Sequence, residues 1–122
     1  MKVRCIRLIS HVDGSEMKDS PWLTVGRQYL VVSVVAVPGR HVSLQIINDQ
    51  SRLGMFDSRM FTTSHHSVPP NWVVKVSHEG VLEFAPEPWQ EAGFWERFYN
   101  DEPEAIRICE EEISKILSDS PQ

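Results

Sequence analysis

"PEPWQEAGFWERFYNDEPEA" occupies residues 86–105, and within it the chain changes its periodicity. Upstream, apolar residues alternate with polar ones or run together in short β-branched stretches. Inside it, Phe94 and Phe98, and Trp95 and Tyr99, form i,i+4 pairs, which are neighbours only on a helix. With Trp89, these four put five large aromatic side chains into eleven positions. Burying one such side chain is worth roughly 2–3 kcal/mol. The stretch therefore reads as an internal staple that closes the open side of a small sheet. Phe94, Trp95 and Phe98 are expected inside, with Trp89 or Tyr99 partly exposed. Gly93 permits a bend or a close backbone approach at the start of this helix.

A second helix follows. Asp101 is the expected N-cap, Glu104 stands three residues on as in a capping box, and Pro103 falls in the first turn, where its missing N–H costs nothing. Ile106, Cys109, Ile113 and Ile116 are spaced three, four and three, and with Ala105 and Leu117 they make an apolar stripe. Glu111 and Lys115 form an i,i+4 pair on the other face.

Before residue 86 the pattern is that of strands and turns. Residues 1–9 read as a first strand, and the Gly-, Ser- and Asp-rich "HVDGSEMKDSPW" as a surface loop. A turn at Gly26 precedes a strand from about Gln28 to Val37. The run "YLVVSVVAVP" is apolar enough to be buried on both faces. Pro38-Gly39 turns the chain, "HVSLQIIND" returns, "NDQSR" turns it again, and "RLGMF" is a short strand. "DSRMF" reads as a tight or 3₁₀ turn before "TTS". "NWVVKVSHEGVLEFAP" is one more hairpin with His78-Glu79-Gly80 at its tip. Strands first and helices last define an α+β fold. The expectation is a small, strongly bent antiparallel sheet or SH3-like barrel of five to six strands, followed by two C-terminal helices. A single domain, residues 1–122, is expected to hold a β-rich part (about 1–85) and a helical part (about 87–118).

Composition narrows the function classes. Residues 1–78 carry nine Lys/Arg and five Asp/Glu, net +4, whereas residues 79–122 carry three and twelve, net −9. The acidic end should repel nucleic acid, because phosphate binding rests on Lys and Arg. No apolar run approaches the ~20 residues of a membrane span. The basic residues interleaved in "MKVRCIRLIS" argue against a signal peptide. Cys5 and Cys109, one near each end and without a CxxC pair, read as reduced buried thiols. Together these point to the cytoplasm.

Several stretches resemble known proteins. Leu23-Thr24-Val25-Gly26-x-x-Tyr29-x-Val31, then "LQIINDQ", then "MFDSRMF", resembles the pattern of an SH3-like small barrel. "VPPNW" and "PEPWQEAGFWERFYNDEPEA" resemble a set of small bacterial proteins of unknown function, some of which look like immunity proteins that neutralise a toxin. The resemblance covers residues 22 to about 106 and brings no catalytic motif. It implies a non-enzymatic protein-binding role without a cofactor.

The residues themselves offer few catalytic groups. The five histidines, His11, His41, His65, His66 and His78, show neither HxH nor HExxH spacing. There is no GxSxG, and the scattered glycines make no phosphate loop. Asp57 beside Arg59, or Glu79 at a turn, are the carboxylates that acid–base chemistry would use. Glu110, Glu111 and Glu112 read as a solvated helix face, and a dense acidic face can steer a basic partner. Trp22 and Trp72 each follow a proline-containing loop, where binding residues concentrate. The candidate binding set is thus Trp22, Asp57, Arg59, Trp72, Trp89, Tyr99, Glu110, Glu111 and Glu112, with a basic protein as partner. The alternative is a small barrel that binds nucleic acid or a transcription or translation component. It requires Arg27, Arg40, Arg52, Arg59 and Lys75 to share one face beside an exposed aromatic.

Overall fold

One long strand organises the molecule. In a computed structural model that describes residues 1–119, β4 (Gln28–Ala36) is hydrogen-bonded along one edge to β5 (Ser43–Ile47). Its other edge is divided. Gln28 to Leu30 pair with β1 (Lys2–Cys5), and Val34 to Ala36 pair with β9 (Leu82–Pro86). β6 (Leu53–Asp57) extends the sheet beyond β5, β7 (Phe61–His65) beyond β1, and β8 (Trp72–Val76) beyond β9. The result is one seven-stranded antiparallel sheet that bends at β4 and does not close. A two-stranded hairpin, β2 (Leu8–Ile9) with β3 (Glu16–Met17), stands apart from it.

The fold class is as the sequence implies, α+β with the helices last, and the strand count is higher. β7 carries the sequence FTTSH, of which only Phe61 is buried, so no apolar alternation marked it. β3 consists of two exposed residues inside the expected loop. The 3₁₀ turn at Ser58–Met60 stands where "DSRMF" placed a turn.

β4 is buried on both faces, as its composition demanded. Tyr29 and Val31 face a core built with Val3, Cys5, Leu8, Leu23, Leu44, Ile46, Met60 and Phe61. Val32, with Leu30 beside it, faces a second core of Ala85, Trp89, Phe94, Ala105, Cys109 and Ile116. The polar members of this region pair with each other: the buried Ser33 hydroxyl donates to Gln45 Oε1 at 2.6 Å. A buried polar group left unpaired would cost roughly 1–3 kcal/mol.

The aromatic stretch supplies the second core. A 3₁₀ turn (Glu87–Gln90) leads into α1 (Phe94–Tyr99), and Gly93 enters it in the left-handed conformation at φ 79°. Trp95 makes edge-to-face or tilted contacts with Trp89, Phe94, Phe98 and Tyr99, at centroid distances of 5.0–6.0 Å. Phe94 is buried, Trp95 and Phe98 are half-buried, and Tyr99 is 66% exposed. Trp89 is only 2% exposed, and its indole N–H is buried without an acceptor among the described residues.

α2 (Pro103–Asp119) starts differently from the expected capping box. Asp101 adopts φ 58°, its N–H donates to Phe98 O, and Glu102 N–H donates to Arg97 O. These two bonds are a Schellman closure of α1, with Asp101 in the position glycine usually takes. Glu104 pairs with Arg107 instead of reaching back. The buried face of α2 is centred on Ala105, Cys109, Glu112 and Ile116, while Ile106 and Ile113 are half-buried and Leu117 is exposed. Of the expected stripe, Ala105, Cys109 and Ile116 are thus buried, and its centre is shifted away from Ile106, Ile113 and Leu117 towards Glu112. Lys115 pairs with Glu112 at 2.9 Å, and Glu111 pairs with Arg107.

Candidate functional site

Two clefts flank the β5–β6 hairpin, and its loop forms a wall of both. That loop is built by side chains bonding to their own backbone. Asn48 Oδ1 accepts from Gln50 N–H at 2.9 Å and Arg52 N–H at 3.2 Å, and Ser51 N–H donates to Asn48 O at 2.9 Å. Ser51 sits at φ 59°, the left-handed position of a three-residue hairpin loop. Asp49 anchors the loop to the start of β4. Its Oδ1 accepts from the Tyr29 hydroxyl and Arg27 Nη1, each at 2.8 Å, and its Oδ2 from Thr24 Oγ1 at 2.8 Å. Burial works to raise the Asp49 carboxyl, but hydrogen bonds from Thr24, Tyr29 and Arg27 outweigh it and hold the group below the usual carboxylate range. The Gly-x-x-Tyr pattern thus positions a hydroxyl that ties one loop to the next.

The first cleft, about 370 Å³, lies between this hairpin, the β2–β3 hairpin and the Trp22 loop. Leu8, Met17, Trp22, Leu53, Met55 and Phe56 give it an apolar wall, with His11, Ser20, Asn48 and Arg52 as polar members. Trp22 is 40% exposed and stands at this cleft, not sealed in the core. The second cleft, about 600 Å³, lies between the hairpin and the two helices. Its floor is Ile47, Leu53, Phe98, Ile106 and Ile113, and Tyr99, Asp101, Glu110 and Arg52 line it with them. Both non-glycine residues with positive φ among the described residues, Ser51 and Asp101, border it. Such backbone persists only where the surroundings enforce it.

The residues singled out from the sequence are spread over the molecule. Tyr99 and Glu110 come together at the second cleft, and Trp22 belongs to the first. Trp89 is interior and presents no surface. Trp72 is half-buried between the two cores, opposite Pro86, with its indole N–H enclosed. Asp57 and Arg59 close the 3₁₀ turn on each other: Asp57 Oδ1 accepts from Arg59 N–H at 2.9 Å, and the side chains pair at 2.8 Å. The Arg59 guanidinium, against the opposing effect of burial, holds the Asp57 carboxyl below its ordinary value. Glu111 is engaged by Arg107, and Glu112 is 6% exposed. Of the three consecutive glutamates, only Glu110 is exposed and free of an ion pair among the described residues. Of the other cleft residues, Asn48 and Asp101 were expected only as a turn and a cap residue, and Arg52 only in the nucleic-acid set. Their meeting at the clefts depends on how the loops pack, which has no signature in the sequence.

The basic residues needed for a nucleic-acid face are partly spent. Arg27 and Arg59 hold Asp49 and Asp57, and Lys75 stands opposite Glu83 in the β8–β9 pairing. Cys5 and Cys109 are free and buried in different cores. Burial raises both thiols, Cys109 to about 11 with the Glu110 charge adding to it, so neither is an activated nucleophile. Among the described residues, no three His, Cys, Asp or Glu side chains gather as a metal site, and no helix is long and apolar enough to cross a membrane. Comparisons with protein-family models, with curated proteins and with solved structures each give no match.

Proposed function

We propose that this chain is a non-enzymatic protein-binding module that captures a basic segment of a partner protein at the second cleft. The observation that carries this reading is an apolar floor between sheet and helices with Tyr99, Asp101 and Glu110 beside it. A lysine or arginine of the partner would lay its aliphatic stem on that floor and its charge against the carboxylates and the Tyr99 ring. Glu87, Glu91, Glu96 and Glu102 are exposed nearby in sequence and in no ion pair, and they add a field that draws in a cationic partner. In its sharpest form, the partner is a basic toxin and the module is immunity-type, neutralising it by covering its cationic surface.

The test is affinity capture from a lysate of the native host with salt-gradient elution, run in parallel with an Asp101→Lys/Glu110→Lys double variant. One basic protein, retained at low salt, released as salt rises and absent from the variant column, is the expected result. Equal retention by the charge-reversed variant would refute the cleft as the docking site. Co-elution of RNA with the retained protein would favour the nucleic-acid reading instead.

A further inference from the structure

We propose that the first cleft is a binding site for a small monocarboxylate with an apolar body. The inference begins with Asn48, which is 8% exposed and lines the cleft. Its Oδ1 is occupied by the Gln50 and Arg52 amides, so the orientation of its side-chain amide is set by the loop. That leaves Nδ2, with two N–H groups, making no hydrogen bond to any described residue. A donor held in one direction by a nearly buried side chain, and unpartnered among the described residues, is a place for an acceptor.

Gly54 lies beside that donor. A Cβ there would come within 2.8 Å of a Phe56 ring carbon and would stand in ordinary contact, 3.5 Å, with Asn48 Nδ2. Glycine at this strand position therefore makes room for the Phe56 ring on the cleft wall next to the amide. The second polar group is Arg52, an exposed guanidinium that forms no side-chain hydrogen bond or ion pair with the described residues. It is permanently charged and carries a planar fork of donors. One fixed neutral donor and one cation on the same apolar cleft match a carboxylate, which can accept from both at once.

The rest of the cleft defines the body of the ligand. Its wall is mostly hydrocarbon, thioether and indole, with the His11 imidazole and the Ser20 hydroxyl also at it, and it offers no carboxylate to a cation. At about 30 Å³ for a water-sized group, 370 Å³ holds roughly a dozen heavy atoms. A carboxylate takes three of these, leaving space for a medium-length alkyl chain or one aromatic ring system. Met17, Met55 and Met60 let the wall adapt to either.

The experiment is a ¹H–¹⁵N NMR titration of the full chain with sodium octanoate, kept below its micellar range, and with octanamide as the neutral counterpart. Octanoate should saturate, moving the Asn48 side-chain NH₂ and Arg52 Nε–H signals, and octanamide should bind about tenfold more weakly for want of the charge. Asn48→Asp keeps an acceptor for the Gln50 and Arg52 amides but sets a carboxylate where the NH₂ was. It should weaken octanoate by about tenfold or more. Arg52→Gln, at an exposed side chain, carries the same test if Asn48→Asp does not fold. Equal affinity for acid and amide, unchanged octanoate binding in a folded variant, or no shifts at the cleft at millimolar octanoate would each overturn the proposal.

Discussion

Replacing Asp49 by asparagine tests the link between the Tyr29 strand and the hairpin loop that walls both clefts. The aspartate side chain is 15% exposed and accepts three hydrogen bonds, from Thr24, Arg27 and Tyr29, all at 2.8 Å. An asparagine has one acceptor oxygen and no charge, so it cannot satisfy all three. Hydrogen bonds to a charged acceptor contribute roughly 1.5–3 kcal/mol, whereas the Arg27 contact, on a largely exposed guanidinium, adds at most about 1 kcal/mol. Asp49→Asn should therefore cost about 2 kcal/mol at pH 7. That is a fall of about 1 M in urea midpoint for a typical slope near 2 kcal/mol/M. The pH dependence supplies the sharper check. The folded carboxyl lies below its unfolded value near 3.9, so its contribution is complete above that value and disappears as pH falls through the folded pKa. Urea unfolding followed by tryptophan fluorescence should show wild type and variant well separated at pH 7 and converging towards pH 2.5. Asp57, lowered by Arg59, titrates in both proteins and drops out of the difference. A gap that is absent at pH 7, or equally wide at both pH values, would refute the reasoning.

Trp95→Ala removes the ring that touches four other aromatics, and a loss of about 3–5 kcal/mol is expected, a large part of the stability of a small domain. Thermal unfolding by circular dichroism measures it, and a variant as stable as wild type would mean that the cluster is not core. Asp101→Gly should raise stability by about 0.5–1 kcal/mol, because glycine takes the left-handed closure of α1 without steric cost. A lower urea midpoint in this variant would show that the aspartate side chain makes a compensating contact. At pH 8 a thiol reagent should label neither Cys5 nor Cys109 in the folded protein and both in denaturant, since burial raises both thiols. Rapid labelling of the folded chain at Cys109 would place α2 off the sheet.

What could be read from the sequence was what rests on periodicity. The switch of spacing at residue 86 located both helices, and the apolar run of β4 announced a strand covered on both sides. Turn chemistry placed the reversals at Pro38-Gly39, Asn48-Asp49 and His78-Glu79-Gly80. Composition could not show how far the α2 stripe is rotated. Glu112 lies in its centre, where the Lys115 ammonium pairs with the carboxylate one turn along the helix and the Asn71 amide docks on its backbone carbonyl at 3.2 Å, and only the second contact is tertiary. β7 was missed because only its Phe61 reaches the core while the rest holds a sheet edge. Asn48 reads as an ordinary turn residue, and only the geometry of its two accepted bonds shows that its other end is idle.

β4 also decides how the molecule comes apart. A strand with a core on each face has no side to lose independently. Undocking α1 and α2 would bare Val32 and Ala85, and peeling away β1 and β7 would bare Val31 and Tyr29 on the same strand. Because β9 and β1 share one edge of β4, slippage of either pair is transmitted along the strand to the other. The sheet and the helices are thus bound into one cooperative unit, and amide exchange in β4 should proceed only through global opening. Among the described strands, only those of the β2–β3 hairpin, which borders the first cleft, stand apart from that sheet and are left free to yield locally.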